Sequence, residues 1–213
     1  MKLDRIAYRL WRYNPAGLRR LYQHHRFDRR FGVHTRGYRD LRYEPTPAPV
    51  LEKALVLVDT LDIDLARFLF IDIGSGKGKV LLLAAAYPFK RVIGVELWED
   101  LHHVAVSNLE ALPENERRCG AIEPVCIDAA RFPIPPEPTI FYFFNPFSES
   151  VLATVLENIE TSLARHAQPV FIIFYAPILL RGAPWDRRRL FDASPLLRII
   201  HQEKDFTIYA ANV

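Results

Sequence analysis

The sequence has only two cysteines and no long apolar run. The cysteines, Cys119 and Cys126, cannot form a disulfide framework, and no second Cys/His pair completes a zinc site. The longest apolar run, residues 169–180, contains Pro177 and is about a third too short to span a bilayer as a helix. The N-terminus lacks an apolar segment followed by a small-residue cleavage site. These absences favour a cytoplasmic protein with no metal site, no secretory signal and no membrane partner.

Charge is distributed unevenly along the chain. Residues 1–42 hold twelve basic and three acidic residues, a net charge of +9, whereas the remainder holds sixteen basic and twenty-two acidic residues. A basic segment beside an acidic body indicates either an anionic partner such as nucleic acid or an arm that folds back onto its own domain. Apolar residues recur at three- or four-residue steps in residues 3–13 and 17–25, two predicted helices separated by Asn14-Pro15. This spacing favours the folded arm.

From residue 67 onward, short strand-like runs alternate with longer helical patterns. Apolar strands separated by helices indicate a parallel sheet covered on both faces. The last two strands are separated only by residues 203–205, which forces an antiparallel hairpin. The predicted strands cover residues 68–73, 91–97, 122–127, 139–144, 170–175, 197–202 and 206–211. The predicted helices cover residues 50–61, 80–86, 99–112 and 148–165.

The sequence therefore predicts an α/β fold with a Rossmann-like, mostly parallel, seven-stranded sheet. Helices cover both faces, and the sheet ends in a C-terminal antiparallel hairpin. Prolines at positions 45, 47 and 49 mark a rigid linker upstream. We divide the chain there into a basic helical extension or lid, residues 1–47, and the main domain, residues 48–213.

A glycine-rich turn follows the first strand, in the sequence IDIGSGKG at residues 71–78. Glycines allow the backbone to turn tightly and to approach a ligand without Cβ clashes. A phosphate-binding P-loop needs a glycine five residues before its Gly-Lys pair and Ser or Thr after it, and this segment has neither. The dinucleotide fingerprint G-x-G-x-x-G needs glycine at position 79, where the chain has Lys79. The segment does fit the methyltransferase form, in which an acid, here Asp72, stands two residues before the first glycine.

Two further acids stand at the ends of the next two strands. Glu96 ends the second strand, 22 residues after Gly74, where a carboxylate can accept hydrogen bonds from both ribose hydroxyls. Because NAD enzymes share this feature, Glu96 supports a nucleoside ligand without choosing between cofactors. Asp128 follows the third strand and can accept a hydrogen bond from the exocyclic amine of adenine. A helix N-cap is the alternative interpretation of Asp128.

The fourth strand ends at Asn145-Pro146-Phe147, in the region where open parallel sheets border a ligand crevice. The Asn145 oxygen and a prolyl-constrained carbonyl can accept hydrogen bonds from an amine nucleophile. Phe147 can pack on the acceptor or near a sulfonium. The alternative is a plain turn before the next helix.

These motifs together resemble the class I, seven-strand, S-adenosylmethionine-dependent methyltransferases over residues 43–213. The first motif is IDIGSGKG, and the next three are GVEL at residues 94–97, CIDAA at 126–130 and FFNPF at 143–147. Residues 27–35 and 43–47 look like those of a bacterial subgroup of the family whose substrate is unassigned. The resemblance implies S-adenosyl-L-methionine as the cofactor. It implies cofactor-binding roles for Tyr43, Thr46, Asp72, Gly74, Ser75, Gly76, Gly78, Glu96, Leu97, Asp128, Ala129 and Asn145.

The resemblance also implies catalytic roles for Tyr43, Asn145, Pro146 and Phe147. Tyr43 and Thr46 are expected to cap the methionine end of the cofactor, as similar Tyr-x-Pro segments do in seven-strand protein-lysine methyltransferases. The amino-methyltransferases of DNA and of protein glutamine carry Asn/Asp-Pro-Pro-Tyr/Phe. This chain has one proline fewer, which separates it from their acceptor chemistry.

Three functions fit the sequence. The first is a methyltransferase that acts on a macromolecule, favoured here as in-line transfer to a nitrogen of a lysine-type protein acceptor. The second is a methyltransferase for a small molecule. The third is a nucleotide-binding module or NAD(P) oxidoreductase, which Lys79 and the terminal hairpin disfavour. The basic residues 1–42 favour a macromolecular acceptor; a lid is the preferred interpretation of this segment, and a nucleic-acid partner is the alternative.

Overall fold

The computed structural model describes residues 15–35, 43–144, 148–176 and 187–213, with the backbone alone for residues 15–21. The predicted helix over residues 3–13 lies outside the described residues. Within the described residues, no helix is long and apolar enough to cross a membrane. The helices are α1 (Pro15–Phe31), α2 (Ala48–Asp59), α3 (Lys79–Ala84), α4 (Glu99–Glu110), α5 (Glu149–Arg165) and α6 (Arg188–Asp192). Short 3-10 helices cover Leu65–Arg67, Glu114–Glu116 and Ala129–Arg131.

The strands form one seven-stranded sheet in the order β3-β2-β1-β4-β5-β7-β6. The first five strands are mutually parallel, and β7 is antiparallel to both β5 and β6. This arrangement confirms the predicted fold class, including the C-terminal hairpin. The strands are β1 (Leu69–Ile73), β2 (Arg91–Glu96), β3 (Ile122–Cys126), β4 (Thr139–Phe144), β5 (Val170–Tyr175), β6 (Arg198–Gln202) and β7 (Phe206–Ala211).

Side chains of the central strands alternate between two apolar clusters, one on each face of the sheet. On β4, Ile140 and Tyr142 join the cluster that contains α2 and α3, whereas Phe141 and Phe143 join the cluster that contains α5. All six residues of β5 and of β7 are buried. Alternation with a period of two, combined with burial of both faces, explains why these strands are apolar at almost every position.

Helix α1 is longer than the sequence predicts. It extends over Pro15–Phe31, whereas the pattern indicated residues 17–25. Pro15 opens the helix, where its fixed φ is favourable and its missing N–H costs nothing. Gly32 closes it with φ of 66°, and Val33 N donates to Asp28 O at 3.0 Å, the Schellman arrangement. The apolar spacing was broken by charged residues after position 25, so the pattern ended before the helix does.

The glycine-rich turn lies between β1 and α3 and packs against α4. Gly78 has φ of 75°, and a Cβ at this position would lie 3.0 Å from Ala105 Cβ. A side chain at position 78 is therefore disfavoured both by the left-handed backbone and by the close approach of α4. This contact fixes the start of α3 beside the carboxyl ends of β1 and β2.

Substituting Gly78 tests this packing, and Gly32 supplies a matched control. Both glycines have left-handed backbones, but a Cβ on Gly32 would meet nothing within 4 Å. We expect Gly32→Ala to lower the free energy of unfolding by about 1 kcal/mol through backbone strain alone. Gly78→Ala should lower it by roughly 2–4 kcal/mol, because overpacking against Ala105 adds to the strain. Urea unfolding measures both, and equal losses would contradict the packing explanation.

Candidate functional site

Most of the predicted site residues that the structure describes, all but Tyr43 and Thr46, lie at or just after the carboxyl ends of the parallel strands. The glycine-rich turn follows β1, Glu96 is the last residue of β2, and Asp128 follows β3. Strand β1 lies between β2 and β4: the chain runs outward from β1 to β2 and β3, and then crosses back to β4 on the other side of β1. Ligands of open α/β sheets bind in the crevice at such a reversal of strand order.

Left-handed backbone and main-chain hydrogen bonds shape the glycine-rich turn. Gly74, Gly76 and Gly78 have φ of 90°, 53° and 75°. The N–H groups of Gly74 and Ser75 both donate to the Val95 carbonyl, at 2.8 and 2.9 Å. The turn is therefore anchored to β2 by its own backbone, and the glycines supply conformations that side chains disfavour.

Glu96 holds the turn by a third contact, through its side chain. Its carboxylate accepts from Gly76 N at 2.7 Å and from Trp98 N at 2.9 Å, one bond to each oxygen. The side chain is 5% exposed. Each carboxylate oxygen has a further lone pair, so these two bonds leave acceptor capacity for the predicted ribose hydroxyls. The sequence indicated the ribose role but not the role in ordering the turn.

Asp72 is a second buried acid close to Glu96. It is 3% exposed, and burial followed by the charge of Glu96 raises its pKa well above 3.8. Two carboxylates in one poorly hydrated site repel each other and favour the binding of a cation between or beside them. The site is therefore built for positive charge at its acidic wall.

Tyr43 and Thr46, on the segment that leads into α2, close over this wall. The Tyr43 ring lies on Gly76, where a Cβ would come within 2.2 Å of the ring. Thr46 Oγ1 and Tyr142 Oη share a hydrogen bond of 3.0 Å. Burial raises the pKa of both phenols well above 10, so each keeps its proton at neutral pH. The Tyr43 hydroxyl is buried and has no partner among the described residues, which leaves it available to a ligand.

A small cavity of about 30 Å³ lies between these groups. Asp72, Tyr43, Thr46 and Tyr142 line it, together with Lys79, which is 2% exposed. In the sequence, Lys79 was interpreted only as a departure from the dinucleotide fingerprint, and its place in the site was not predicted. The available signal was a lysine at the start of an otherwise apolar helix that must pack on the sheet.

Three other predicted cofactor residues lie after β2 and β3. Asp128 caps the 3-10 helix Ala129–Arg131 by accepting from Ala130 N at 2.9 Å, as the alternative interpretation expected. Its adenine-binding role stays a prediction. Ala129 is 4% exposed, whereas Leu97 is 51% exposed beside the end of β2.

Asn145, Pro146 and Phe147 lie outside the described residues, so their catalytic roles stay predictions. On either side of them, Phe144 lines the cavity and Ser148 caps α5, its hydroxyl accepting from Val151 N at 3.4 Å.

The fold is similar to that of several solved methyltransferases. A protein described as an RNA methyltransferase, from Pyrococcus horikoshii, matches with a TM-score of 0.57 and 17% identity over 89% of this chain and 99% of the other. A protein from Methanococcus maripaludis, described as an S-adenosylmethionine-dependent methyltransferase, matches with a TM-score of 0.52 and 20% identity, over 77% of this chain and 85% of the other. The ribosomal protein L11 methylase from Lactobacillus delbrueckii subsp. bulgaricus matches with a TM-score of 0.52 and 11% identity, over 79% of each chain.

No protein-family model and no curated protein sequence matches the chain. At identities of 11–20%, the likeness to the three solved structures is a likeness of fold. The chain has the seven-stranded fold of the class I S-adenosylmethionine-dependent methyltransferases. The residues at the strand ends, rather than the likeness, carry the functional argument.

Neutralising Asp72 tests the electrostatics of the site. Because burial raises its pKa above 3.8, the charged carboxylate opposes folding, and this penalty appears as the pH rises from 3.8 through the raised pKa. We expect Asp72→Asn to raise the Tm at pH 8, by about 2–4 °C for each kcal/mol released. At pH 4 the two proteins should melt much closer together. Melting curves at both pH values decide this, and a difference of the same size at pH 4 and pH 8 would contradict it.

Proposed function

We propose that this protein is an S-adenosylmethionine-dependent methyltransferase that methylates a nitrogen of a lysine-type protein acceptor. The observation that carries the proposal is the burial of two acids, Asp72 and Glu96, beside a glycine-rich turn at the carboxyl ends of β1 and β2. The fold alone supports a wide range of acceptors.

The two acids favour this cofactor over a dinucleotide. S-adenosylmethionine carries a sulfonium and an ammonium group against a single carboxylate, so its methionine end is cationic. A dinucleotide places a doubly anionic pyrophosphate at the turn that follows β1. A buried, uncompensated Asp72 beside that turn attracts the first ligand and repels the second.

The remaining residues fit the parts of the cofactor. Glu96 would accept from the ribose hydroxyls, and Asp128 would accept from the adenine amine. Gly76 allows the Tyr43 ring to approach the turn closely. The unpartnered Tyr43 hydroxyl and the Thr46–Tyr142 pair offer polar groups at the methionine end. When bound, the cofactor supplies an electrophilic methyl group, so the chain's task is to align the acceptor and remove water.

A slender amine acceptor suits the shape and polarity of the cavity. The cavity is small, and two of the residues that line it, Tyr43 and Tyr142, keep their hydroxyl protons. An unbranched alkyl-amine side chain fits such an opening more readily than an extruded nucleobase, which needs a pocket of its own size. An amine must be neutral to attack, and burial among Tyr43 and Tyr142 favours its neutral form.

Methyl labelling tests the activity and the acceptor together. The purified protein and cofactor with a radioactive methyl group are incubated with a cell extract, which is then separated into protein, RNA and small molecules. We expect label in the protein fraction, released as methylated lysine on hydrolysis. Glu96→Ala should weaken cofactor binding by about 1.5–3 kcal/mol, the range for hydrogen bonds to a charged group, and should lower labelling accordingly.

Glu110→Ala is the matched control, because Glu110 is an exposed acid at the end of α4. It should label like the unchanged protein. Label in the RNA fraction would overturn the protein acceptor and make the exposed arginines of α1 the basis for an RNA-binding alternative. No label in any fraction, together with no binding of the cofactor, would overturn the proposed activity.

A further inference from the structure

Lys79 joins the glycine-rich turn to helix α1. It is the first residue of α3 and is 2% exposed, although lysine is rarely buried to this degree without partners. Its Nζ shares a hydrogen bond with Nδ1 of His24, which is 5% exposed, and lies 4.8 Å from the centroid of the Phe27 ring. Both partners belong to α1, 52 or more residues earlier in the chain.

The charges around Lys79 come from two elements packed against it. Asp28 on α1 and Glu52 on α2 favour the ammonium form, whereas burial outweighs them and lowers the pKa of Lys79 to about 7. Asp28 is itself buried and accepts from Thr35 N at 3.1 Å and from the Thr35 hydroxyl. The end of α1 and the residues that follow it therefore form one hydrogen-bonded unit around the lysine.

A second tie runs between the same two parts of the chain. Asn108 on α4 is 2% exposed and uses both ends of its amide. Its Oδ1 accepts from His34 N at 2.8 Å, and its Nδ2 donates to Lys77 O at 2.8 Å. The two ties reach the turn at positions 77 and 79, on either side of Gly78.

We propose that Lys79 is a positioning residue that holds α1 against the glycine-rich turn, so that the N-terminal segment and the cofactor-binding turn become ordered together. The Asn108 bridge supports the same coupling from the other side. In naming the cofactor, this inference rests on the proposed function. It assigns residues 24–35 to the binding machinery, although none of them lines the cavity.

A lysine with a merely local structural role would act differently. Removing it would change the melting temperature and leave the cofactor affinity of the folded protein unaltered. Positioning through α1 instead links the cofactor affinity to the protection of α1 from proteases, because the order of the turn depends on that helix.

The test compares Lys79→Met with Lys53→Met. Methionine keeps most of the side-chain volume and removes the charge in both, but Lys53 is 56% exposed and pairs with Glu203 at 2.9 Å. Limited proteolysis of the ligand-free protein measures cleavage within residues 15–47, and calorimetry measures the Kd for S-adenosylmethionine. We expect faster cleavage and an affinity at least about tenfold weaker for Lys79→Met, and no change in either for Lys53→Met.

A double-mutant cycle separates coupling from general damage. His24→Leu should also weaken cofactor binding. The double variant should lose little more affinity than Lys79→Met alone, because both changes break the same contact between Lys79 and His24. If Lys79→Met fails to fold, Asn108→Asp takes its place, since it keeps the acceptor for His34 N and removes the donor to Lys77 O. The Kd of Asn108→Asp for S-adenosylmethionine should rise, as expected for Lys79→Met.

A folded Lys79→Met with the unchanged protein's protection and affinity would overturn the inference, as would additive losses in the cycle. Failure of the unchanged protein to bind the cofactor would contradict the proposed function instead. The proteolysis of the ligand-free variants would then still decide whether Lys79 holds α1.

Discussion

The hydrogen bond from Gly76 N to the Glu96 carboxylate is the contact on which the candidate site depends. It joins the turn after β1 to the last residue of β2, and it exists because the parallel register places Ile73 opposite Val95. The Val95 carbonyl adds two bonds from the same turn. With the turn held in this way, the Tyr43 ring packs directly on Gly76, where a Cβ would come within 2.2 Å of it.

The buried charged groups of the site lower the free energy of unfolding, and the apolar burial in the rest of the domain offsets this loss. Burial of Asp72 beside Glu96 disfavours the charged form, and burial of Lys79 does the same for a cation. Two apolar clusters, one on each face of the sheet, supply the burial that holds these groups in place. Groups kept at a cost in stability are typical of functional sites, and the association is strongest where a specific partner charge, here Glu96, is present.

Strands that are buried on both faces could be predicted from the sequence almost to the residue. Strands β4, β5 and β7 have the bounds that their apolar, β-prone patterns predict: residues 139–144, 170–175 and 206–211. The acids and glycines of the site were also found, because their spacing along the chain is fixed by strand and turn lengths. The extent of α1 could not be predicted, because charged residues interrupt its apolar spacing after position 25. The burial of Lys79 and the backbone bonds of Glu96 could not be predicted either, because they depend on contacts between residues distant in sequence or on main-chain groups. Periodicity carries no information about either.

In the proposed function, the two buried acids beside the turn, Asp72 and Glu96, select a cationic nucleoside cofactor. Calorimetric titration of the unchanged protein with S-adenosylmethionine and, separately, with NAD tests it most directly. One-to-one binding of S-adenosylmethionine with no heat of binding from NAD is the predicted result. Binding of NAD with S-adenosylmethionine inert would contradict the claim, because the anionic pyrophosphate would then occupy a site whose acids should repel it.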